Sequence, residues 1–173
     1  IAVELLEKLL NDEVKSKFRT NVVKQRKFSE LLKNALTKYQ NRSIEAAQVI
    51  AELIEMAKEF KNEIEKSNEL NLNSAENAFY DALSNNKSAE DLMGEEVLVQ
   101  IAREIAEKLR QNVTVDWAVR ESVRARLRLL VKNLLRKYKY PPDQQASATE
   151  LVLSQAEVIS EEELIQSNLN KLN

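Results

Sequence analysis

The chain has 173 residues with a formal net charge of -2, enough for about one domain with a sizeable core. It contains no Cys and no His, which excludes disulfides, thiolate nucleophiles, Cys- or His-held metals and Ser-His pairs. A single Gly cannot build a phosphate-cradling loop, and with two Pro and 5% aromatic residues the composition predicts an all-α, multi-helix bundle with no sheet.

In chain order, the apolar spacing predicts a first helix from about Val3 to Phe18 and a second from about Val22 to Tyr39. The second carries Val22, Phe28, Leu31, Leu32, Ala35, Leu36 and Tyr39 on one stripe. Gln40–Ser43 is a weak break with Ser43 as N-cap, and a long third helix follows to about Lys66. Its predicted apolar face is Ile44, Ala47, Ile50, Ala51, Ile54, Ala57 and Phe60. Helices two and three can also be read as one kinked rod.

Residues 67–73 form a polar connector. Ser74 is the expected cap of a short helix bearing Ala78, Phe79, Ala82 and Leu83. Ser88 with Asp91 resembles a capping box for a single turn that ends at Gly94. A further helix is expected from about Glu96 to Arg110, and another, capped by Thr114 or Asp116, from Trp117 to about Tyr138. Tyr140-Pro141-Pro142-Asp143 punctuates the chain, with Pro142 at the first position of the last helix. Beyond Ser160, Ile165 and Leu169 either prolong that helix or lie in a frayed tail. The expected organisation is one domain over 1–173, with a long-helix lobe at 1–66, a bundle at 74–158 and the tail at 160–173. No apolar run approaches the roughly 18 residues of a membrane span. Starting at Ile1 without Met, the sequence reads as a fragment of a longer, soluble, intracellular polypeptide.

Near-neutrality conceals blocks of charge: −3 over 1–14, +8 over 15–42, −9 over 43–100, +7 over 101–142 and −5 over 143–173. Fields act within about 8–10 Å, so the pI of 5.5 says little about local binding. In the helix 117–138, Arg120, Arg124, Arg128, Lys132 and Arg136 recur every four residues. Successive members rotate by about 40°, forming a slow spiral beside the apolar stripe. Such a row can follow a phosphate backbone without reading bases. Lys24, Arg26, Lys27, Lys38 and Arg42 are the corresponding candidates in the first basic block. The alternative is that both rows are solvated or paired with the acidic segment 43–100. Trp117, Tyr138, Tyr140, Pro141 and Pro142 are candidate partner anchors, with core packing the competing role. The carboxylates Glu52, Glu55, Glu59 and Glu63, and those of Asp91, Glu95 and Glu96, read as solvated faces. No catalytic residue and no metal site is expected.

Leu36–Glu45, Ala78–Leu83 and above all Val115-Asp116-Trp117 through Tyr140-Pro141-Pro142-Asp143 resemble the helical C-terminal region of the restriction subunit, HsdR, of type I restriction-modification enzymes. The resemblance spans residues 1–158. Lys139 stands where the pattern expects Gly, which suggests a different turn before Tyr140. The resemblance implies a parent that is an ATP-dependent, DNA-translocating endonuclease of the bacterial or archaeal cytoplasm, with a nuclease domain and two RecA-like motor domains ahead of this region. ATP and Mg²⁺ would belong to those domains, with no cofactor held here. It implies a module that docks the motor subunit onto the HsdM and HsdS methyltransferase core. Charge adds non-specific contact with double-stranded DNA; the alternative is docking alone.

Overall fold

The computed structural model describes residues 1–112 and 120–172, and the side chains among them other than those of 112, 120 and 164–168. Among the described residues there are eight α-helices, one short 3₁₀ turn and no strand, as the composition requires. The helices fall into two compact units, 1–71 and 72–173.

The first unit is made of α1 (Ala2–Lys17), α2 (Val22–Gln40) and α3 (Ala46–Glu69). Asn21 caps α2, its side chain accepting from the Lys24 N–H at 3.0 Å. Val3, Leu10 and Val14 of α1, Phe28, Leu32 and Ala35 of α2, and Val49, Leu53 and Met56 of α3 are buried together. Three phenylalanines tie the helices at one end. Phe18 stacks on Phe28 at 5.6 Å between centroids, and Phe60 meets both edge-on at 4.9 and 5.3 Å. Such pairs contribute about 0.5–1.5 kcal/mol each beyond their buried area.

The single-rod reading of α2 and α3 does not hold, because the chain reverses at Arg42. The Ser43 N–H bonds to the Lys38 carbonyl and the Arg42 N–H to that of Tyr39, while Arg42 takes φ 57°. This is a Schellman termination. Ser43 is spent on it, so it does not cap α3. Glu45 does so instead, its N–H bonding Gln48 Oε1 at 3.1 Å. The buried face of α3 is also displaced from the expected one. Ala47, Ala51 and Ile54 are exposed, and Val49, Leu53 and Met56 point inward. Both stripes are apolar, and the positions of α1 and α2 select between them.

The second unit begins with α4 (Ser74–Ser84), capped by Asn73 rather than Ser74. Asn73 Oδ1 accepts from the Glu76 N–H at 2.8 Å, and Glu76 Oε1 accepts from the Asn73 N–H at 3.0 Å. Ala78, Phe79, Tyr80, Ala82 and Leu83 are all buried, because α4 packs on both α6 (Glu95–Asn112) and α8 (Gln145–Leu172). Between α4 and α6 lies α5 (Lys87–Met93), seven residues capped by Asn86 and not by Ser88. Gly94 ends it at φ 83°, a left-handed value that suits glycine. Leu98, Ile101, Ala102, Ile105, Ala106 and Leu109 form the buried face of α6.

α7 (Arg120–Lys137) lies against α8 and buries Val123, Leu127, Val131, Leu134 and Leu135. It too ends in a Schellman turn: the Tyr140 N–H bonds the Leu135 carbonyl at 2.8 Å and the Lys139 N–H that of Arg136 at 3.1 Å. Lys139, at φ 58°, therefore makes with lysine the turn that glycine would make. Pro142–Gln144 forms the 3₁₀ turn, and α8 then continues to Leu172, so Ile165 and Leu169 lie in a prolonged helix. The expected caps Thr114 and Asp116 lie outside the described residues. No helix among those described is long and apolar enough to cross a membrane.

Candidate partner and nucleic-acid surfaces

The row on α7 divides in two. Arg124 reaches Glu157 at 3.1 Å and Glu150 at 3.5 Å, and Arg128 Nε reaches Glu150 at 2.9 Å. The charge-assisted bond from Arg128, with the charges of Arg128 and Arg124 beside it, holds the Glu150 carboxyl below its ordinary value against the opposing effect of burial. Lys132 and Arg136 are exposed, and no ion pair joins them to the other described residues. The rotation of about 40° per step explains the division. Arg124 and Arg128 lie on the flank facing α8, and the spiral carries Lys132 and Arg136 out to solvent. Of the Arg120 side chain nothing is described.

The first basic block is drawn towards α3. Lys24 is buried, with its ammonium 3.0 Å from Ser67 Oγ, 3.6 Å from Glu63 and 5.6 Å from the Phe18 ring centroid. Lys27 bonds Glu59 at 2.7 Å and Glu63 at 3.3 Å. Burial works against its charge, and the two carboxylates overcome that, so its pKa sits above the ordinary value. Lys38 reaches Glu52 at 3.6 Å. Arg26 and Arg42 are exposed.

Pairing with the segment 43–100 therefore describes Lys24, Lys27 and Lys38. Arg124 and Arg128 instead find their acids in the last helix. A signal for both was present in the sequence. Lys27 and Glu63, like Lys38 and Glu52, lie at nearly equal chain distances on either side of the Arg42–Glu45 turn. Arg124 with Glu157, and Arg128 with Glu150, do the same about Tyr140. Antiparallel hairpins place such residues opposite one another.

The aromatic candidates separate by burial. Tyr140 is 1% exposed, its hydroxyl donating to the Leu83 carbonyl at 2.6 Å, and Pro141 is buried beside it. These two are interior, because the Schellman turn folds Tyr140 back onto Leu135, and they offer nothing to a partner. Burial pushes the Tyr140 phenol up to about 12. Tyr138 is half-buried and donates to Glu104, and that hydrogen bond raises its pKa. Pro142 is exposed. Trp117 lies outside the described residues. Among those described, no three acidic side chains converge as a metal site would need.

Sequence reasoning passed over a second kind of surface. Leu5 and Leu9 of α1, Leu31 of α2, Ile54 of α3 and Leu129 of α7 are exposed, at 58%, 55%, 40%, 45% and 62%. Periodicity alone assigns Leu31 and Ile54 to the apolar faces of α2 and α3, yet both side chains open to solvent.

A family model described as "Type I restriction enzyme HindI endonuclease subunit-like, C-terminal" matches residues 1–162. The type I restriction enzyme HindI endonuclease subunit of Haemophilus influenzae is 46% identical over 160 residues, which cover 92% of this chain and 15% of that protein. A Methanocaldococcus jannaschii protein, named as the MjaIXP endonuclease subunit of a type I restriction enzyme, is 32% identical over 135 residues, 78% of this chain and 13% of that one. The chain thus spans a small part of the curated relatives it matches. No solved structure matches.

Proposed function

Because the chain belongs to the family of C-terminal regions of HindI-like type I restriction endonuclease subunits, we propose that it is the assembly module that docks such a subunit onto the HsdM and HsdS methyltransferase core. The observation carrying this reading is the internal neutralisation of five of the ten candidate cations. Lys24, Lys27, Lys38, Arg124 and Arg128 all hold carboxylates of their own unit, while large apolar side chains stay open to solvent. A surface of that kind suits a protein partner better than a polyanion. On this reading the nuclease chemistry, with ATP and Mg²⁺, belongs to the rest of the subunit. An endonuclease subunit lacking residues 1–162 should keep its ATPase and fail to be recruited by the core. Normal recruitment of that deletion would refute the docking role.

A second reading, non-specific contact with duplex DNA, is favoured by the exposure of Lys132 and Arg136. It predicts that replacing these two with Ala weakens duplex binding equally across sequences and reduces the salt slope by roughly one per lost phosphate contact. Replacing Arg124 and Arg128 should change it far less. Equal losses from both pairs would show that the bridges to Glu150 and Glu157 do not withhold those arginines.

A further inference from the structure

Between α2 and α3 runs an open groove of about 670 Å³, lined by no residue of α1. Its floor is apolar: Ala35, Leu53 and Met56 are buried there, and Leu31 forms a lip. Along α3 the lining extends from Ala51 to Asn62, about 16 Å, or three helical turns.

The α3 wall is acidic. Glu52, Glu55 and Glu59 stand at spacings of three and four, against Lys58 as the one cation in the lining. Lys38 and Lys27 of α2 engage Glu52 and Glu59 at the two ends. Glu55, midway, meets Lys58 at 3.0 Å, and both side chains are well exposed, at 72% and 66%. A surface pair of this kind is worth little, so an incoming cation displaces Lys58 at small cost.

We propose that this groove receives one amphipathic α-helix of a protein partner. Apolar residues at i, i+4 and i+7 would rest on the Leu53–Met56 floor, with a Lys or Arg beside Glu55. The proposal rests on the docking reading and specifies its surface. Helix-in-groove recognition needs this geometry: an apolar floor a few turns long and one charged wall that fixes direction.

The test uses the full endonuclease subunit, with its cognate methyltransferase core as the probe. Ala51→Trp fills the groove from an exposed position, and Glu55→Lys reverses the mid-wall charge, so neither disturbs the core of the unit. Each should weaken core binding about tenfold or more, with thermal unfolding unchanged, while Glu55→Gln should cost about threefold. Wild-type affinity in all three variants, with binding abolished by deletion of 1–162, overturns the groove and leaves docking intact. Binding by that deletion overturns both. Loss with Ala51→Trp but not with Glu55→Lys overturns the basic occupant. Loss of subunit self-association in place of core binding shows a second copy to be the occupant, and overturns the proposal equally.

Discussion

Arg42, Asn71 and Lys139 occupy left-handed backbone at φ 57°, 55° and 58°, each just past the end of a helix. Glycine takes this conformation without the steric cost of roughly 1–2 kcal/mol that a Cβ brings. Asn tolerates it better than Arg or Lys. Arg42→Gly and Lys139→Gly should each stabilise their unit by about 0.5–1 kcal/mol after the extra flexibility of the unfolded chain is allowed for. Asn71→Gly should be close to neutral. Urea midpoints measured for the three variants decide the matter, and a destabilised Lys139→Gly would contradict the assignment. Tyr140 offers a second test. A phenol raised to about 12 in the folded state, against about 10 when unfolded, contributes stability that is whole below pH 10 and lost as pH climbs through 12. Tyr140→Phe should cost about 1 kcal/mol near neutrality through the lost bond to the Leu83 carbonyl. It should also blunt alkaline unfolding followed by tyrosinate absorbance.

At the scale of elements, most helices were legible because apolar spacing and capping chemistry agreed. The buried stripe of α7 and the turn at Tyr140-Pro141-Pro142 follow directly from residue type. The face of α3 did not. Ile50 and Ile54 compete with Val49 and Leu53 for the interior, and only the packing of neighbouring helices decides between them. Caps shifted by a residue or two: Asn73 takes the role expected of the adjacent Ser74, and Glu45 caps α3 because Ser43 closes the turn after α2. The candidate site was legible as charge but not as availability: the spacing of Arg124 and Arg128 was plain, whereas their carboxylate partners depended on how α8 folds back. That pairing has a pH signature. Glu150 is held below its ordinary value, so the bridge stabilises above the ordinary Glu range and is lost as pH falls through the depressed value. Thermal unfolding of Glu150→Gln should accordingly change less between pH 5 and 3, a span of about two units around the Glu reference value, than that of the wild type.

For the molecule as a whole, the two units each close a core from their own helices. Phe28 is completely buried and touches both other phenylalanines of its unit. Phe28→Ala should therefore remove about 3–5 kcal/mol from that unit. Amide exchange should then accelerate across 1–71 and remain near wild type across 72–173. Uniform acceleration throughout the chain would show a single cooperative block.

The scarcity of glycine leaves Arg42 and Lys139 at hairpin bends, where trypsin can recognise both. The two bends are not equally vulnerable. Arg42 is followed by the exposed Ser43, whereas Lys139 precedes Tyr140 and Pro141, which are buried. A protease must draw several residues into an extended strand before it cuts. Brief digestion should therefore sever the chain after Arg42 well before it reaches Lys139.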